Sequence, residues 1–150
     1  MNTFLPYESF IESARVLDDK RLGKQRSENI QIMKALTLPK YGWKNHPAVK
    51  QWKDFELQLY YYHVAIVNEW IYRGFKDTTF GYMNDIVCPL LQDGVIEKND
   101  DPPIWLGMNK YHASHRSNLL SKDPEWYGQF GWEEPDDLPY WWPSKELELK

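Results

Sequence analysis

Four polar side chains at helical spacing form the most chemically capable group in this sequence. Arg21, Lys24, Gln25 and Glu28 lie three or four positions apart or side by side, so that a helix would carry all four within about one quadrant of its surface. Such a stripe places cationic donors beside one carboxylate, at spacings where helical side chains meet. One interpretation is an ordinary solvated face with ion pairs. The other is a face that grips phosphates and keeps one acid for chemistry.

Apolar residues in the same stretch predict the helix that must position this stripe. Across residues 15–36, Leu22, Met33 and Leu36 gather on a second side of the helical wheel, with Ile30 and Ile32 more loosely beside them. We expect the helix to begin near residue 17 or 18 and to end before Pro39, because the residue that precedes a proline avoids the helical region.

The rest of the chain also favours helices. Apolar residues recur every three or four positions across residues 48–72, which predicts the longest helix and makes His63 a hydrogen-bonded core residue. Shorter helices are expected near residues 9–14, over 80–91 with an interruption near Pro89, and over 109–121. We therefore predict an all-α, single-domain bundle of about three to four helices, covering residues 1–150, with long aromatic- and proline-rich loops and tail.

Composition narrows the class of protein. The chain has 150 residues and 24 aromatic side chains, enough for one folded core and far more than a disordered chain carries. No run is long and apolar enough for a membrane span, and no secretory signal is indicated. The single cysteine, Cys88, has apolar flanks that suggest a buried thiol, and together these features predict a cytoplasmic protein.

Charge is distributed unevenly along the chain. The formal net charge is −4, but it is +5 over residues 1–53 and −9 over residues 54–150. Local field governs contact with phosphates more than total charge does, so a basic N-terminal third can still face a nucleic acid.

Residues 112–127 form a second group with chemical potential. His112, His115, Arg116 and Lys122 offer donors that suit phosphate oxygens, and Trp126 or Tyr127 could stack on a base. The ordinary alternative is a capped surface helix with a core tryptophan. A metal site is disfavoured, because His112 and His115 have no HExxH motif or cysteine pair beside them. No phosphate-binding glycine loop is present, and we expect no cofactor.

Several segments, taken in order, resemble the pyrimidine dimer DNA glycosylases, the phage endonuclease V-like family, and in particular a bacterial and phage branch with the motif RVLDxxRLGKQR. The resemblance covers residues 17–28, His46, RGFKDTT at 73–79, HASHRSNLL at 112–120 and DPEWYGQFG at 123–131. It implies a small, all-helical, metal-free enzyme. Such an enzyme flips a base out of the duplex, attacks C1′ of the sugar with its N-terminal amine, and passes through an imine to strand scission by β-elimination.

The resemblance also implies roles for individual residues. Glu28 aligns with the indispensable acid of the family, and Arg21 aligns with a side chain inserted into the groove. Here Asn2 occupies the position of the family's nucleophilic threonine, so the nucleophile stays open: the α-amine of Met1 or Asn2, the amine of Lys20 or Lys24, or none. The catalytic candidates are Glu28, Asn2 and Lys24. The DNA-binding candidates are Arg15, Lys20, Arg21, Gln25, Arg26, His46, His112, His115, Arg116, Lys122, Trp126 and Tyr127.

These observations lead to three hypotheses. The first is a DNA glycosylase, with or without abasic-site lyase activity, that acts on a damaged or modified base in double-stranded DNA as a monomer. The second is a non-catalytic module that uses the same fold to bind DNA or a protein. The third and weakest is a hydrolase or phosphodiesterase built on His112, His115 and Arg116.

Overall fold

Helices account for all the regular secondary structure in residues 1–143, the part of the chain that this computed structural model describes. Four helices have 14 or more residues and three are shorter. In chain order they are α1 (Phe10–Val16), α2 (Asp19–Thr37), α3 (Pro47–Lys50), α4 (Glu56–Tyr72), α5 (Thr79–Gln92), α6 (Asn109–Lys122) and α7 (Pro124–Tyr127), followed by a 3₁₀ turn at Gly128–Phe130. The all-α class is confirmed. The seven α-helices in this part of the chain exceed the three to four predicted, because three of them are short, with four to seven residues.

Helix α2 forms where the sequence predicts it. Asp18 caps its N-terminus by accepting a hydrogen bond from the Arg21 backbone N–H (3.4 Å), and the helix ends at Thr37, two residues before Pro39. The Tyr127 hydroxyl also donates to the Asp18 carboxylate, which ties α7 to the start of α2. Burial alone would raise the pKa of Asp18, but the hydrogen bonds from Tyr127 and Arg21 and the Arg21 charge lower it overall.

The predicted helix over residues 48–72 is two helices instead of one. The chain leaves the helical path after α3, and Asp54 adopts a left-handed conformation with φ of 69° before α4 begins. The apolar periodicity continues across this break because the connecting turn also buries a large side chain, Trp52. His63 on α4 is buried and bonded to Asn29 and Thr79, as predicted for a core histidine.

Two other expectations are corrected in α5. The helix continues through Pro89 to Gln92. Proline has no N–H to donate to the carbonyl of Asp85, four residues earlier, but Asp85 is exposed, so water can bind that carbonyl instead. Cys88 is exposed and not buried, because the core-facing positions of this helix are Met83 and Val87. The aromatic segment that follows α7 packs back on the body, since Trp132 stacks on Tyr127 with ring centroids 5.6 Å apart.

The described part of the chain has no helix of the length and hydropathy that crossing a membrane would require.

Close packing of α2 against α4 depends on a residue without a side chain. A Cβ placed on Gly23 would lie 2.9 Å from the Trp70 ring. That ring has little freedom to move, because it stacks on Phe75 with centroids 4.1 Å apart, lies under the Arg26 guanidinium, and donates from Nε1 to the Lys76 carbonyl. The interhelical contact therefore requires glycine at position 23.

We predict that Gly23→Ala lowers the free energy of unfolding by about 1–2 kcal/mol, the overpacking cost less the gain in helix propensity. Gly81→Ala is the matched control, because Gly81 lies in α5 with nothing within 4 Å of its added Cβ. That control should raise stability by about 0.5–1 kcal/mol. Urea unfolding measures both, and an equally stabilising Gly23→Ala would contradict the packing argument.

Candidate active site

The first five residues form an extended segment that side chains from several helices hold in place. Gln25 accepts from the Phe4 N–H (3.0 Å) and donates to the Asn2 carbonyl (2.8 Å), so one amide fixes two peptide groups. The Tyr62 hydroxyl donates to the Phe4 carbonyl (2.6 Å). Because these backbone groups are buried outside any helix, only side chains can satisfy them, and the segment is held in one conformation.

Two histidines of α6 fix the end of this segment. The Leu5 N–H donates to His115 Nδ1 (3.0 Å), and His112 Nδ1 lies 2.8 Å from the Leu5 carbonyl. The Gly107 N–H donates to His112 Nε2, so the proton of this ring is on Nδ1, which donates to Leu5. Both rings are thus bound to backbone and both are buried.

This anchoring brings the start of the chain to Glu28. The Met1 amine lies 3.9 Å from Glu28 Oε1, and Lys24 Nζ lies 3.7 Å from the same oxygen. The Asn2 backbone N–H points at Glu28 Oε2 from 3.4 Å. Glu28 is only 9% exposed, whereas the Lys24 side chain is 69% exposed. A largely buried carboxylate therefore faces one terminal amine and one surface lysine.

An open cavity of about 290 Å³ lies over this carboxylate. The Met1–Glu28 pair lies at its floor, and the other charged side chains that line it are all cationic. The lining residues are Met1, Asn2, Phe4, Lys20, Arg21, Lys24, Glu28, Lys122 and Tyr140. Positive charge at the mouth attracts phosphate groups and strengthens their binding.

His46 lies within electrostatic reach of the same pair. Burial lowers the pKa of His46, the charge of the N-terminal amine lowers it further, and Glu28 opposes both effects. The ring caps α3 by accepting the Ala48 N–H at Nδ1 (3.0 Å), and it packs edge-on against Trp43 and Trp142. His46 is therefore a neutral neighbour of the site at pH 7.

Comparison with protein families gives one match. The family model described as pyrimidine dimer DNA glycosylase matches residues 1–83, more than half of the chain, and this span includes the N-terminal segment, Lys24 and Glu28. The chain belongs to the pyrimidine dimer DNA glycosylase family. No curated protein and no solved structure matches it significantly. Of the residues that line the cavity, Lys122 and Tyr140 lie beyond the matched span.

The structure brings together about half of the side chains that the sequence suggested. Asn2, Lys20, Arg21, Lys24, Glu28 and Lys122 all line the cavity. Gln25 lies beneath it, buried and bonded to the N-terminal segment, so it supports the site and is not available to DNA. Arg15 lies elsewhere, in a separate groove beside Glu69 and Tyr72.

Two predicted phosphate contacts are engaged inside the protein. The Arg26 guanidinium lies 2.7 Å from Asp77 and 4.3 Å from the centre of the Trp70 ring. Arg116 pairs with Glu134 (2.6 Å) and donates to the Pro6 carbonyl (2.8 Å). Each guanidinium is bound to a carboxylate that is distant in sequence, and neither residue lines the cavity. Arg21 also pairs with a carboxylate, that of Asp18 (3.2 Å), but it does line the cavity.

The predicted stacking residues are also internal. Trp126 donates from Nε1 to the Val16 carbonyl (2.7 Å), and the ring of Tyr127 is fully buried with its hydroxyl on Asp18. With His112 and His115 bound to Leu5, residues 112–127 hold the N-terminal segment and α2 instead of forming a second site. No group of three or more His, Cys, Asp or Glu side chains in residues 1–143 is placed to hold a metal ion.

Sequence reasoning did not find Tyr140, Phe4 or the role of Gln25. Tyr140 stands in a proline- and acid-rich tail with no periodic pattern, so its place in the cavity depends on contacts that no local signal reports. The N-terminal residues show no periodic pattern either, and the side chains that hold this segment come from α2, α4 and α6.

We predict that two buried histidines, His63 and His115, make the free energy of unfolding fall as the pH falls below 6.5. Burial lowers the pKa of His63 from 6.5 to about 4 and that of His115 from 6.5 to about 3. Between these values and 6.5 the unfolded chain binds more protons than the folded one, so each histidine costs about 1.4 kcal/mol of stability per pH unit. Urea unfolding between pH 7 and pH 5 measures this slope.

His115→Asn tests the assignment. Asparagine keeps an acceptor for the Leu5 N–H but takes up no proton, so the variant should lose one histidine's share of the pH dependence even though it is less stable at pH 7. A slope equal to that of the wild type would show that His115 is not buried in the neutral form.

Proposed function

We propose that this chain is a DNA glycosylase with abasic-site lyase activity, which acts as a single domain on a damaged base of the pyrimidine-dimer type in duplex DNA. The observation that carries the proposal is the 3.9 Å approach of the Met1 amine to the buried Glu28 carboxylate at the floor of a cation-lined cavity. Family membership supports it, because this pair lies within the matched span.

The chemistry follows from the two groups. An amine is nucleophilic once it has lost its proton, and the Glu28 carboxylate beside the Met1 amine is placed to accept one. The lone pair of the amine forms a bond to C1′, and the electrons of the glycosidic bond leave with the base. Glu28 takes a proton from the attached nitrogen and returns it to the ring oxygen as the C1′–O4′ bond opens, which gives an imine. Loss of a C2′ proton then expels the 3′ phosphate.

The carboxylate has a second role in this scheme. Positive charge develops on the sugar as the base departs, and a fixed carboxylate in a poorly hydrated site stabilises that charge without reorganisation. Glu28 suits this role because it is held beside the attacking amine on a helix whose other face packs into the core.

Two other nucleophiles stay open. The Asn2 nitrogen, at 3.4 Å from Glu28, is in place to act if Met1 is removed. Lys24 Nζ is also near, but its 69% exposure gives it little of the desolvation that activates a lysine. We favour the terminal amine on these grounds.

The DNA interface in this proposal is the rim of the cavity. Lys20 and Arg21 start α2, Lys24 follows one turn later, and Lys122 ends α6, so cations from two helices surround the opening. Phosphates on either side of a displaced nucleotide would meet this rim while its sugar reaches Glu28.

We predict that Glu28→Gln abolishes base release and strand scission, by at least about 100-fold in kcat, while Kd for duplex DNA changes less than about threefold. Glutamine keeps the shape of the side chain but neither accepts a proton nor carries charge. Glu97→Gln, at an exposed position, is the charge-matched control and should leave both quantities unchanged. Equal loss of binding and turnover in Glu28→Gln would argue against catalysis by this carboxylate.

Borohydride trapping identifies the nucleophile. We predict a covalent adduct between the protein and duplex DNA with an abasic site, and peptide mapping should place it on the N-terminal residue. Lys24→Arg and Lys20→Arg, which keep the charge but remove a usable amine, should still give the adduct, and Lys98→Arg, at an exposed position away from the cavity, is the control. An adduct lost in Lys24→Arg would assign the lysine instead. No adduct, with tight salt-sensitive binding, would favour the DNA-binding module.

A further inference from the structure

The tail segment after α7 is tied to α6 and ends in the cavity. Glu134 pairs with Arg116 (2.6 Å), the Leu138 N–H donates to Ser117 Oγ (3.0 Å), and Asn118 Nδ2 donates to the Leu138 carbonyl (3.0 Å). These contacts fix the chain two residues before Tyr140. We call residues 132–142 the strap.

Tyr140 is the strap residue that lines the cavity. Its ring packs edge-to-face on His115, with centroids 5.4 Å apart, and lies 5.6 Å from the ring of Trp142. His115 also accepts the Leu5 N–H, so one histidine positions both the N-terminal segment and this tyrosine. The distance between Tyr140 and the terminal amine is thereby set by shared packing.

Two uncharged hydrogen-bond donors face the cavity beside the reactive pair. Burial raises the pKa of the Tyr140 hydroxyl, while the neighbouring Asn2 side chain and the Arg21 charge lower it and Glu28 raises it. The phenol therefore keeps its proton at neutral pH. Asn2 is only 6% exposed, and its Oδ1 accepts the Thr3 N–H (2.7 Å). Its side chain lies close enough to the Tyr140 hydroxyl to lower the pKa of that group, but Nδ2 lies outside hydrogen-bond geometry, so this buried donor is not fully satisfied within the described structure.

The residues that line the cavity form three groups, each of which suits a different part of a nucleotide. The cations of the rim suit phosphates, and the Met1–Glu28 pair suits the sugar carbon. The remaining wall consists of Asn2, Phe4 and Tyr140, which are neutral, and a nucleobase is the neutral part of a nucleotide. Because the glycosidic nitrogen is bonded directly to C1′, a base whose sugar is attacked by the amine must lie against this wall.

We propose that Tyr140 and Asn2 bind a carbonyl oxygen of the departing pyrimidine and stabilise the negative charge that it gains as the C1′–N bond breaks. Both glycosidic electrons go to the base, where they delocalise onto its carbonyl oxygens, and donors aimed at those oxygens lower the barrier. This inference rests on the proposed function, since it assigns the leaving-group side of the same site.

The test separates base release from the later steps. Tyr140→Phe removes only the hydroxyl and is compared with the wild type on two duplexes, one with a cyclobutane thymine dimer and one with an abasic site at the same position. We expect single-turnover base release to slow about 100-fold, as for loss of one donor to a developing oxyanion. Borohydride trapping on the abasic duplex, which has no base to release, should change less than twofold. Tyr72→Phe, at an exposed position in the separate groove, is the control.

Two other results for Tyr140→Phe would overturn the inference. Equal loss on both duplexes would make Tyr140 a residue that merely positions the N-terminal segment, and no loss on either would leave it without a role in the reaction. A thermal melt verifies that Tyr140→Phe is folded. If the wild type gives no adduct with the abasic duplex, the proposed function itself fails, and this result is distinct from the preceding two.

Discussion

The structure depends on the hydrogen bonds that side chains make to the backbone of the first five residues. This segment is extended and buried, and none of its peptide groups has a strand partner. Gln25, Tyr62, His112 and His115 replace that partner, and they come from α2, α4 and α6. Each unpaired group would cost about 1–3 kcal/mol if buried alone. The position of the terminal amine is consequently a property of the whole helical core and not of a flexible end.

The same amide of Gln25 begins a chain of polar contacts that crosses the core. Gln25 Nε2 donates to Asn29 (2.9 Å), Asn29 Nδ2 lies 3.2 Å from His63 Nδ1, and Thr79 Oγ1 lies 3.1 Å from His63 Nε2. Thr79 then donates to Asp77, which holds Arg26. Asn29 Nδ2 donates to His63 Nδ1, and His63 Nε2 donates to Thr79, so a protonated His63 would turn its second N–H toward the Asn29 amide donor. This contact adds to the effect of burial, which lowers the pKa of His63. Buried polar groups thereby join the site to α5.

The sequence predicts those features of the fold and site that depend on local residue patterns. The period of α2 places Lys24 and Glu28 one turn apart, and both side chains line the cavity. The sequence could not predict that Lys24 lines the cavity whereas Arg26 does not, because both are basic and they lie two positions apart on one helix. Arg26 is turned inward by Asp77, a partner 51 residues away, and by the face of Trp70. The same holds for His115, whose Leu5 partner is 110 residues distant.

The residues of the site come from two separate parts of the chain, and this limits which of its properties a local change can affect. The amine, Glu28 and three of the rim cations lie in the family-matched span, whereas Tyr140 and Lys122 come from later residues. In our proposal the first group breaks the bond to the sugar and the strap meets the base. The hydrogen bonds of the strap go to Arg116, Ser117 and Asn118 of α6, but its Tyr140 ring also packs on His115, which holds the N-terminal segment. In this proposal, a change at the Tyr140 hydroxyl, which leaves that ring packing in place, can alter how the base is bound while the reactive pair keeps its geometry.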